Sequence, residues 1–573
     1  MSLAEVARLG GPRAFVGNRS SHRPRPPSLR TTLSAFRSAA GWLPLIPYLG
    51  LGAVLALVTG TITGDAWSRV GNAYYVLFSR DPHLAAIGFV WNPLPSLVEL
   101  PLLPFAALWP ALVDRGFAGN LMSAVFMAIA VRQLWLWLAD LAVRTPVRIA
   151  LTLAFAVHPL IVIYGANGMS EAPFLCFLIV AGRWFSKWLA SPSVRALAIT
   201  GTALAFAYFT RYEAVAAIGA VALTTFVVSY LRSGGSRHHR RLMAVADCAL
   251  VAAPPVAALI AWSLASLIIV GSPFETFTSV YGGSSQIRLG IDYIREATGQ
   301  GTSAGLVYLA QQLLGLEPLL PFIALAAAAV ALARRDPRLI AVLAVLGSVL
   351  AFSVGLFVAG SSFGWLRFSI TAVPLAVMCA GIIVAEQPSA IARPRPLRAR
   401  VRGAIGRVLA AGIVALALIG VPWSLTTVFD QRLAREEAPQ LAGLVAGDAV
   451  VPHERLEVRL AGDVARYLDS QALPRGSVVV DVALGFWVVL QSRDPQQFVI
   501  TPDRDFPAIV ADPGAFEARY LLVSPAQGAG TFGAIERFHP GLYATGAGMA
   551  TLVKEFGEPG VSGLSWRLYR VDR

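Results

Sequence analysis

The sequence is poor in charge and in cysteine for its length. Only 14% of its 573 residues are Asp, Glu, Lys or Arg, whereas 56% are hydrophobic. Soluble proteins carry about 25% charged residues, so these proportions exclude an ordinary soluble domain. The three cysteines, Cys176, Cys248 and Cys379, all fall in apolar runs, which excludes a disulfide framework and a cysteine-based metal site. The sequence has no G-x-x-x-x-G-K-[ST] loop, which argues against an ATP-driven pump.

The apolar residues are grouped in runs of about 17–25, the length that crosses a hydrocarbon core as a helix. We predict about eleven transmembrane helices, near residues 43–60, 119–142, 147–164, 171–190, 194–210, 213–232, 242–270, 304–333, 337–358, 366–385 and 403–427. No small-residue cleavage site follows the first run, so we expect a retained span there. Prolines interrupt the run at 94–112, which is therefore predicted to skim the membrane within an outer loop at 61–118.

The formal net charge of +14 is unevenly distributed. Arginines concentrate in an N-terminal tail, residues 1–42, and in loops near 232–241 and 386–402. Basic loops between apolar spans mark the cytoplasmic side. We therefore interpret the charge as a topology signal that also contacts anionic membrane lipids, and not as a nucleic-acid site. This predicts a multi-pass plasma membrane protein with a cytoplasmic N-terminus.

The chain changes character after residue 427. A polar helical pattern near 455–470 precedes four short β-rich runs, G-S-V-V-V-D-V-A-L, Q-F-V-I-T-P-D, A-R-Y-L-L-V-S-P and L-S-W-R-L-Y-R-V-D. We predict a small extracytoplasmic α/β domain at 428–573 that follows a transmembrane domain at 43–427. We find no internal repeat of the kind that marks inverted-topology transporters.

Polar residues gather at the outer ends of the predicted spans. Asp65 and Arg69 follow the first span in T-I-T-G-D-A-W-S-R, and the aromatic segment after them contains Tyr74, Trp91 and Asn92. Outer turns and helix ends further along the chain contain Asn167, Glu171, Arg211, Tyr212, Glu213, Arg288 and Arg367. Carboxylates and arginines that converge on one membrane face suit an anionic substrate.

Several of these residues also have a purely structural interpretation. Asp65 can cap the helix that follows it, and Glu171 can stabilise a helix N-terminus through the helix dipole. Arg211 and Glu213 can form a structural ion pair, and Arg367 can extend to the outer headgroups. Both interpretations stay open at this point.

Asp81 and His83 lie in the same outer loop as Asp65. They are either ordinary loop residues or ligands of a divalent cation. The sequence indicates no other cofactor.

The order of these motifs resembles the GT-C superfamily of membrane glycosyltransferases, which use polyprenyl-phosphate sugars. The first outer loop has an acidic residue, Asp65, followed by Asn-Pro-x-Pro. The S-E-A-P turn at Glu171 is similar to the family's Ser/Thr-Glu-Pro turn, and T-R-Y-E-A at Arg211 is similar to its Thr-Arg-Pro/Tyr-Glu-Gly. R-F-S-I-T-A-V-P-L at Arg367 is similar to its Arg-Tyr-x-x-x-x-x-Pro. The likeness covers residues 40–390, and the family's second outer carboxylate corresponds to Asp81, to Glu171 or to neither.

The resemblance implies an inverting enzyme that moves a sugar from a polyprenyl-phosphate donor to a glycan, lipid or protein acceptor of the cell envelope. It implies Asp65 as the general base and Arg211, Arg367 and Arg288 as phosphate ligands. The implied substrate pocket comprises Arg69, Tyr74, Trp91, Asn92, Asn167, Glu171, Tyr212 and Glu213. Two alternatives stay open, a transporter or lipid flippase and a non-catalytic assembly protein that keeps the fold.

Overall fold

The computed structural model describes residues 41–386, 411–412, 415, 418–445, 453–525, 533–557 and 565–572. From Pro44 onward the chain forms one structural unit, in which a bundle of apolar helices is followed by a mixed sheet. The predicted N-terminal tail lies almost wholly outside the described residues, as does most of the basic loop at 386–402. The predicted boundary at residue 428 stays a prediction.

Six helices of the described part are long and apolar enough to cross a membrane, namely Phe117–Asp140, Glu171–Ala190, Ala214–Arg232, Arg237–Val270, Arg338–Val358 and Leu366–Val384. Three bent pairs meet the same criterion, namely Leu45–Thr59 with Gly64–Phe78, Thr145–Ala156 with Pro159–Ala166, and Gly301–Leu316 with Leu320–Arg334. If each pair is one span, the described residues contain up to nine. The protein is a multi-pass membrane protein, and the predicted total of eleven spans stays a prediction. The described residues also contain three shorter apolar helices, Leu94–Ala107, Val194–Thr210 and Leu418–Val428.

The bends fall where the sequence interrupts the helical hydrogen-bond ladder. Pro159 and Pro318 lack a backbone N–H and disfavour the helical conformation in the residue before them. Gly60 ends the first helix with a φ of 63°, which a residue without Cβ adopts at little cost. The helix Gly64–Phe78 then runs at 89° to the first helix and contains Asp65 in its first turn.

The proline-rich run at 94–112 does not form one straight helix. It is divided into the helix Leu94–Glu99, the 3-10 helix Leu100–Ala107 and the short helix Ala111–Asp114. Each piece is too short to cross a hydrocarbon core of about 30 Å. That the run does not cross the membrane stays a prediction.

The C-terminal part contains five strands, β1 (Val478–Val480), β2 (Phe498–Ile500), β3 (Tyr520–Val523), β4 (Ala550–Gly557) and β5 (Ser565–Val571), in the order β2-β1-β3-β5-β4. Strand β1 pairs in parallel with β2 and β3, and all three of its residues are buried, as is typical of a central parallel strand covered on both faces. Strands β5 and β4 complete the sheet in antiparallel orientation. Four of the strands lie within the β-rich runs of the sequence analysis, whereas β4 was not predicted.

Along the chain, α-helices precede the first strand and connect the strands from β1 to β4. They are His453–Ser470, Val482–Val489, Phe506–Ala511, Ala534–Phe538 and Leu542–Thr545. The prediction of a strand through V-V-V-D-V-A-L was wrong for its last three residues, which begin the helix Val482–Val489. The cause is Asp481, whose carboxylate accepts a hydrogen bond from the Ala483 N–H at 2.8 Å and caps that helix.

The helix Gly64–Phe78 connects the bundle to the sheet region. The ring of Trp67 packs edge-on against Trp487, with 5.1 Å between ring centroids, and its Nε1 donates to the carbonyl of Val113 at 2.6 Å. Beyond the helix, Arg80 forms an ion pair with Asp503 at 3.0 Å. The helix that holds Asp65 is therefore fixed from both sides.

The helices Phe117–Asp140 and Glu171–Ala190 approach each other closely at Gly182, where an added Cβ would overlap the ring of Trp137. Because Trp137 is fully buried, its ring has little room to move. We expect Gly182→Ala to lower the free energy of unfolding by about 1–3 kcal/mol, measured as a lower Tm in detergent. Gly219→Ala is the matched control, since an added Cβ there meets no atom within 4 Å. Equal Tm values for the two variants would contradict this packing.

Candidate active site

A cavity of about 490 Å³ lies at one end of the helix bundle. Its walls come from the helix that follows the first bend, from the turn before Ala214–Arg232, from the segment 276–288 and from residues 356–368. Nine of the residues predicted for the site line this cavity, namely Asp65, Arg69, Trp91, Asn92, Arg211, Tyr212, Glu213, Arg288 and Arg367. Residues up to about 300 positions apart in the sequence are thus brought to one surface.

Arg367 is the centre of a network of ion pairs. Its Nη2 lies 3.1 Å from Asp65 Oδ2, its Nη1 lies 2.7 Å from Glu436 Oε2, and its Nε lies 3.7 Å from Glu171 Oε1. The guanidinium also lies 4.2 Å from the centroid of the Trp365 ring. Because the side chain is only 5% exposed, its charge needs these partners to offset the loss of water.

Arg211 is also occupied by carboxylates. Its Nη1 pairs with Glu171, and its Nε and Nη2 donate to Glu213 Oε1 at 3.2 Å and 2.6 Å. Burial lowers the pKa of Arg211, but Glu213 and Glu171 raise it by more, so that the pKa lies above its usual value. Arg211 therefore contacts the cavity as one member of a structural ion-pair network, in addition to its predicted role toward phosphate.

Arg69 and Arg288 line the cavity without a carboxylate within salt-bridge distance in the part of the chain that the structure describes. Arg69 Nη1 donates to the carbonyl of Asp65 at 2.8 Å, and its guanidinium lies 4.7 Å from the centroid of the Trp91 ring. Arg288 is exposed and donates from Nη2 to Ser285 Oγ at 2.9 Å. These two cations are better placed than Arg211 to receive an anionic group.

Asp65 does not occupy the N-cap position of its helix, because Thr63 is the N-cap residue. Its carboxylate instead turns to Arg367, and 32% of the side chain is exposed. The local geometry therefore does not favour a capping role for Asp65. The carboxylate lies on the cavity wall, where a bound molecule can reach it.

Three other predicted pocket residues lie outside the cavity wall. Glu171 is 1% exposed and lies behind Arg211 and Arg367. Asn167 is buried and donates from Nδ2 to Gln440 Oε1 at 3.3 Å. Tyr74 packs against Phe78, with 5.0 Å between ring centroids, and is not among the residues that line the cavity. This position therefore does not favour the predicted role of Tyr74 as a pocket residue.

The two candidate metal ligands are engaged with other groups. Asp81 Oδ1 lies 3.2 Å from Arg504 Nη2, and His83 Nδ1 lies 2.6 Å from the carbonyl of Asp81. Within the described ranges, no three His, Cys, Asp or Glu side chains are grouped so that they could hold a metal ion. The divalent cation stays a prediction.

The sequence analysis missed two acidic residues of the site, Glu436 and Glu437. Glu436 forms an ion pair with Arg367, and Glu437 Oε1 accepts a hydrogen bond from the hydroxyl of Tyr164 at 2.6 Å. Burial raises the pKa of both carboxyls above the usual range. The signal in the sequence is the pair of acids in A-R-E-E-A-P, which resembles ordinary surface charge at the start of a soluble domain.

No protein family and no curated protein matches the chain by sequence. Among solved structures, the chain is similar to ArnT from Cupriavidus metallidurans bound to undecaprenyl phosphate, with 13% identity and a TM-score of 0.49 over 94% of this chain and 98% of that chain. It is also similar to the oligosaccharyltransferase AglB from Archaeoglobus fulgidus in complex with an inhibitory peptide and a dolichol-phosphate, with 12% identity and a TM-score of 0.36 over 93% of this chain and 74% of that chain. A third similar structure is the S. cerevisiae protein O-mannosyltransferase Pmt1–Pmt2 complex bound to the sugar donor, with 18% identity and a TM-score of 0.30. There the likeness covers 40% of this chain and only 34% of that chain.

The contrast between Arg211 and Arg288 leads to a stability prediction. Arg211→Met leaves Glu171 and Glu213 buried without their main partner, which we expect to cost about 3–5 kcal/mol of unfolding free energy. Arg288→Met removes an exposed cation and should change the stability by less than about 0.5 kcal/mol. Thermal unfolding in detergent, followed by tryptophan fluorescence, measures both. A Tm for Arg211→Met as high as that of Arg288→Met would contradict a structural role of the Arg211 ion pairs.

Proposed function

We propose that the protein is a GT-C-type glycosyltransferase of the plasma membrane. It moves a sugar from a polyprenyl-phosphate donor to a glycan, lipid or protein acceptor of the cell envelope, on the outer face of the membrane. The observation that carries this proposal is the placement of Asp65, Arg69, Arg288 and Arg367 around one cavity at the end of an apolar bundle. A lipid-borne phosphate at headgroup depth requires such cations next to apolar helices.

The arginines have the task of holding the donor phosphate. A guanidinium binds phosphate oxygens through two parallel N–H donors and keeps its charge at any physiological pH. Arg69 and Arg288 have donors that carboxylates do not occupy, and Arg367 lies on the same wall beside Asp65. As the bond between the sugar and the phosphate breaks, negative charge grows on the phosphate oxygens. The arginines stabilise this developing charge.

Asp65 has the task of activating the acceptor. A carboxylate that is paired with a guanidinium is a weaker base than a free one. In our proposal, Arg367 turns its Nη2 to the donor phosphate and thereby loosens the ion pair with Asp65. The freed carboxylate accepts the proton of the acceptor hydroxyl, whose oxygen attacks the anomeric carbon while polyprenyl phosphate leaves. One direct displacement inverts the configuration at that carbon.

The remaining walls of the cavity suit the other parts of the substrates. Phe277, Leu356 and Phe363 offer apolar surface to the first isoprene units. Arg288 lies in the short helix Gly283–Leu289, and Tyr281 just before this helix contacts the sheet region, because its hydroxyl donates to Asp481 Oδ2 at 2.8 Å. We assign to the sheet region a part in binding the acceptor.

The alternative of a lipid or solute transporter rests on a different observation. His158 Nε2 lies 4.0 Å from Glu317 Oε1, and both residues are buried at the breaks of two bent helix pairs. Ionisable residues inside a membrane bundle are typical of transport pathways. Protein-dependent movement of polyprenyl phosphate across vesicle membranes without sugar transfer would favour this second candidate.

The role of Asp65 is tested by Asp65→Asn, which keeps the shape of the side chain and removes its basicity. We expect the rate of sugar transfer from a polyprenyl-phosphate sugar to fall by about 10²–10⁴, the usual contribution of a general base. The measurement is transfer of radiolabelled sugar by purified protein in vesicles, with Tm recorded for the same samples. Asp292→Asn is the control, because the Asp292 side chain is 94% exposed. Full activity of Asp65→Asn would remove Asp65 as the base.

The role of Arg288 is tested by binding rather than by catalysis. Arg288→Gln removes a cation that has no structural ion pair among the described residues, so the fold should not change. We expect its Kd for undecaprenyl phosphate to rise about tenfold, which corresponds to the loss of one charge-assisted hydrogen bond. Microscale thermophoresis in nanodiscs measures this, with Arg295→Gln on the neighbouring helix as the control. An unchanged Kd would place the phosphate elsewhere.

A further inference from the structure

The carboxylates around Arg367 outnumber the arginines. Five carboxylates and three guanidinium groups form one cluster, which comprises Asp65, Glu171, Glu213, Glu436, Glu437, Arg69, Arg211 and Arg367. If every group were ionised, the cluster would have an excess of two negative charges, which Arg288 on the same cavity wall reduces to one. An anionic phosphate that enters the adjacent cavity would then be repelled by the site that is meant to receive it.

Glu436 differs from the other carboxylates in its position. It contacts Arg367 Nη1 at 2.7 Å but is not among the residues that line the cavity, so it reaches the guanidinium from outside the cavity wall. Its side chain is 22% exposed, whereas the Oε2 atom that faces Arg367 is itself buried. Asp65, by contrast, faces the cavity, and Glu171 is enclosed between two arginines.

The surroundings of Glu436 favour its neutral form. The charged and titratable groups that face it are Arg367, Glu437, Asp65, Glu171 and Tyr164. Burial is the main cause that raises the pKa of Glu436, the three carboxylates raise it further, and only Arg367 lowers it. A bound phosphate adds negative charge and competes for Arg367, and both effects favour protonation more strongly.

We propose that Glu436 takes up one proton when an anionic phosphate lipid binds in the cavity. Glu436 is thus a positioning residue that acts through Arg367 and adjusts the charge of the phosphate site. In this step one proton moves from solvent to the Glu436 carboxylate, and no covalent bond of the lipid changes. The inference rests on the proposed function in one respect, that the ligand is a phosphate lipid.

The proton uptake determines how affinity depends on pH. Because the complex holds one proton more than the free protein, affinity falls as pH rises, by about tenfold per pH unit between the pKa values of Glu436 in the free protein and in the complex. Below the lower of these values Glu436 is already neutral, and affinity no longer depends on its titration. Without Glu436 this dependence disappears.

The test uses a probe whose own charge does not change with pH. The methyl ester of undecaprenyl phosphate is a phosphodiester with a single negative charge between about pH 6 and pH 9, so any proton taken up goes to the protein. Binding to the full-length protein in nanodiscs is measured by titration calorimetry in two buffers of different ionisation enthalpy. For the wild type we expect net proton uptake on binding, with affinity falling as pH rises over the interval in which uptake is measured.

Two variants separate Glu436 from general charge effects. Glu436→Gln should take up no proton, should bind with an affinity independent of pH, and should bind about tenfold more tightly than the wild type at a pH where Glu436 of the free wild type is ionised. Glu296→Gln removes the same charge from a side chain that is 73% exposed and pairs with the neighbouring Arg435. It should behave like the wild type.

The outcomes distinguish this inference from the proposed function. If the wild type does not bind the ester, the proposed function is wrong, and the inference falls with it. If the wild type binds the ester without proton uptake at any pH, only the inference is overturned, and this result needs no variant to fold. Uptake that persists in a stably folded Glu436→Gln protein also overturns it, because another carboxylate then receives the proton.

Discussion

The charge of Arg367 is the constraint on which the arrangement of the site depends. A guanidinium that is 5% exposed cannot remain in an apolar bundle without partners, and its partners come from three distant parts of the chain. Asp65 follows the first bend, Glu171 begins a long helix, and Glu436 lies beyond the last described apolar helix. Satisfying one buried charge therefore fixes the relative positions of these three segments at the same end of the bundle.

The second constraint is geometric and lies in the first bent helix pair. Gly60 permits the turn into the perpendicular helix Gly64–Phe78. The two sides of this helix contact different parts of the protein. Trp67 packs against Trp487 of the sheet region, whereas Asp65 and Arg69 line the cavity. A displacement of the sheet region would therefore be transmitted to the carboxylate through a single short helix, because Trp67 is fully buried and cannot yield.

Much of this could be predicted from the sequence because the bilayer simplifies the physics. Apolar length predicts spans, and charge asymmetry between loops predicts which helix ends share a side. For that reason Asp65, Arg211 and Arg367 were expected on one face, and the structure brings all three to one cavity. The sequence shows Pro159 and Pro318, which interrupt helices. The bend angles of 61° and 73° at these two prolines depend on packing that the sequence does not specify.

The predictions failed where a residue's meaning depends on a distant partner. In its local sequence Glu436 resembles an ordinary surface carboxylate. Its contact with Arg367, which the local sequence does not indicate, makes it part of the site. Tyr74 lies on the same helix as Asp65 and Arg69, yet its ring packs against Phe78 away from the cavity wall, because residues five and nine positions apart on a helix point in different directions. The strand prediction failed in the same way at V-A-L after Asp481, because the carboxylate of Asp481 caps a helix that begins there.

The ion pairs of Arg211 and Arg367 with carboxylates, which form before any substrate arrives, have a physical consequence. Cations without partners would bind phosphate tightly, but they would destabilise the empty protein by the cost of unpaired buried charge. Carboxylate partners remove that cost and weaken phosphate binding, because each new phosphate contact must replace an existing one. The cavity divides these requirements among its arginines. Arg211 is held by two glutamates and maintains the fold, whereas Arg288 is exposed and Arg69, among the described residues, donates only to neutral groups. Arg367 stands between the two cases, and in our proposal its exchange of partners links stability to substrate binding.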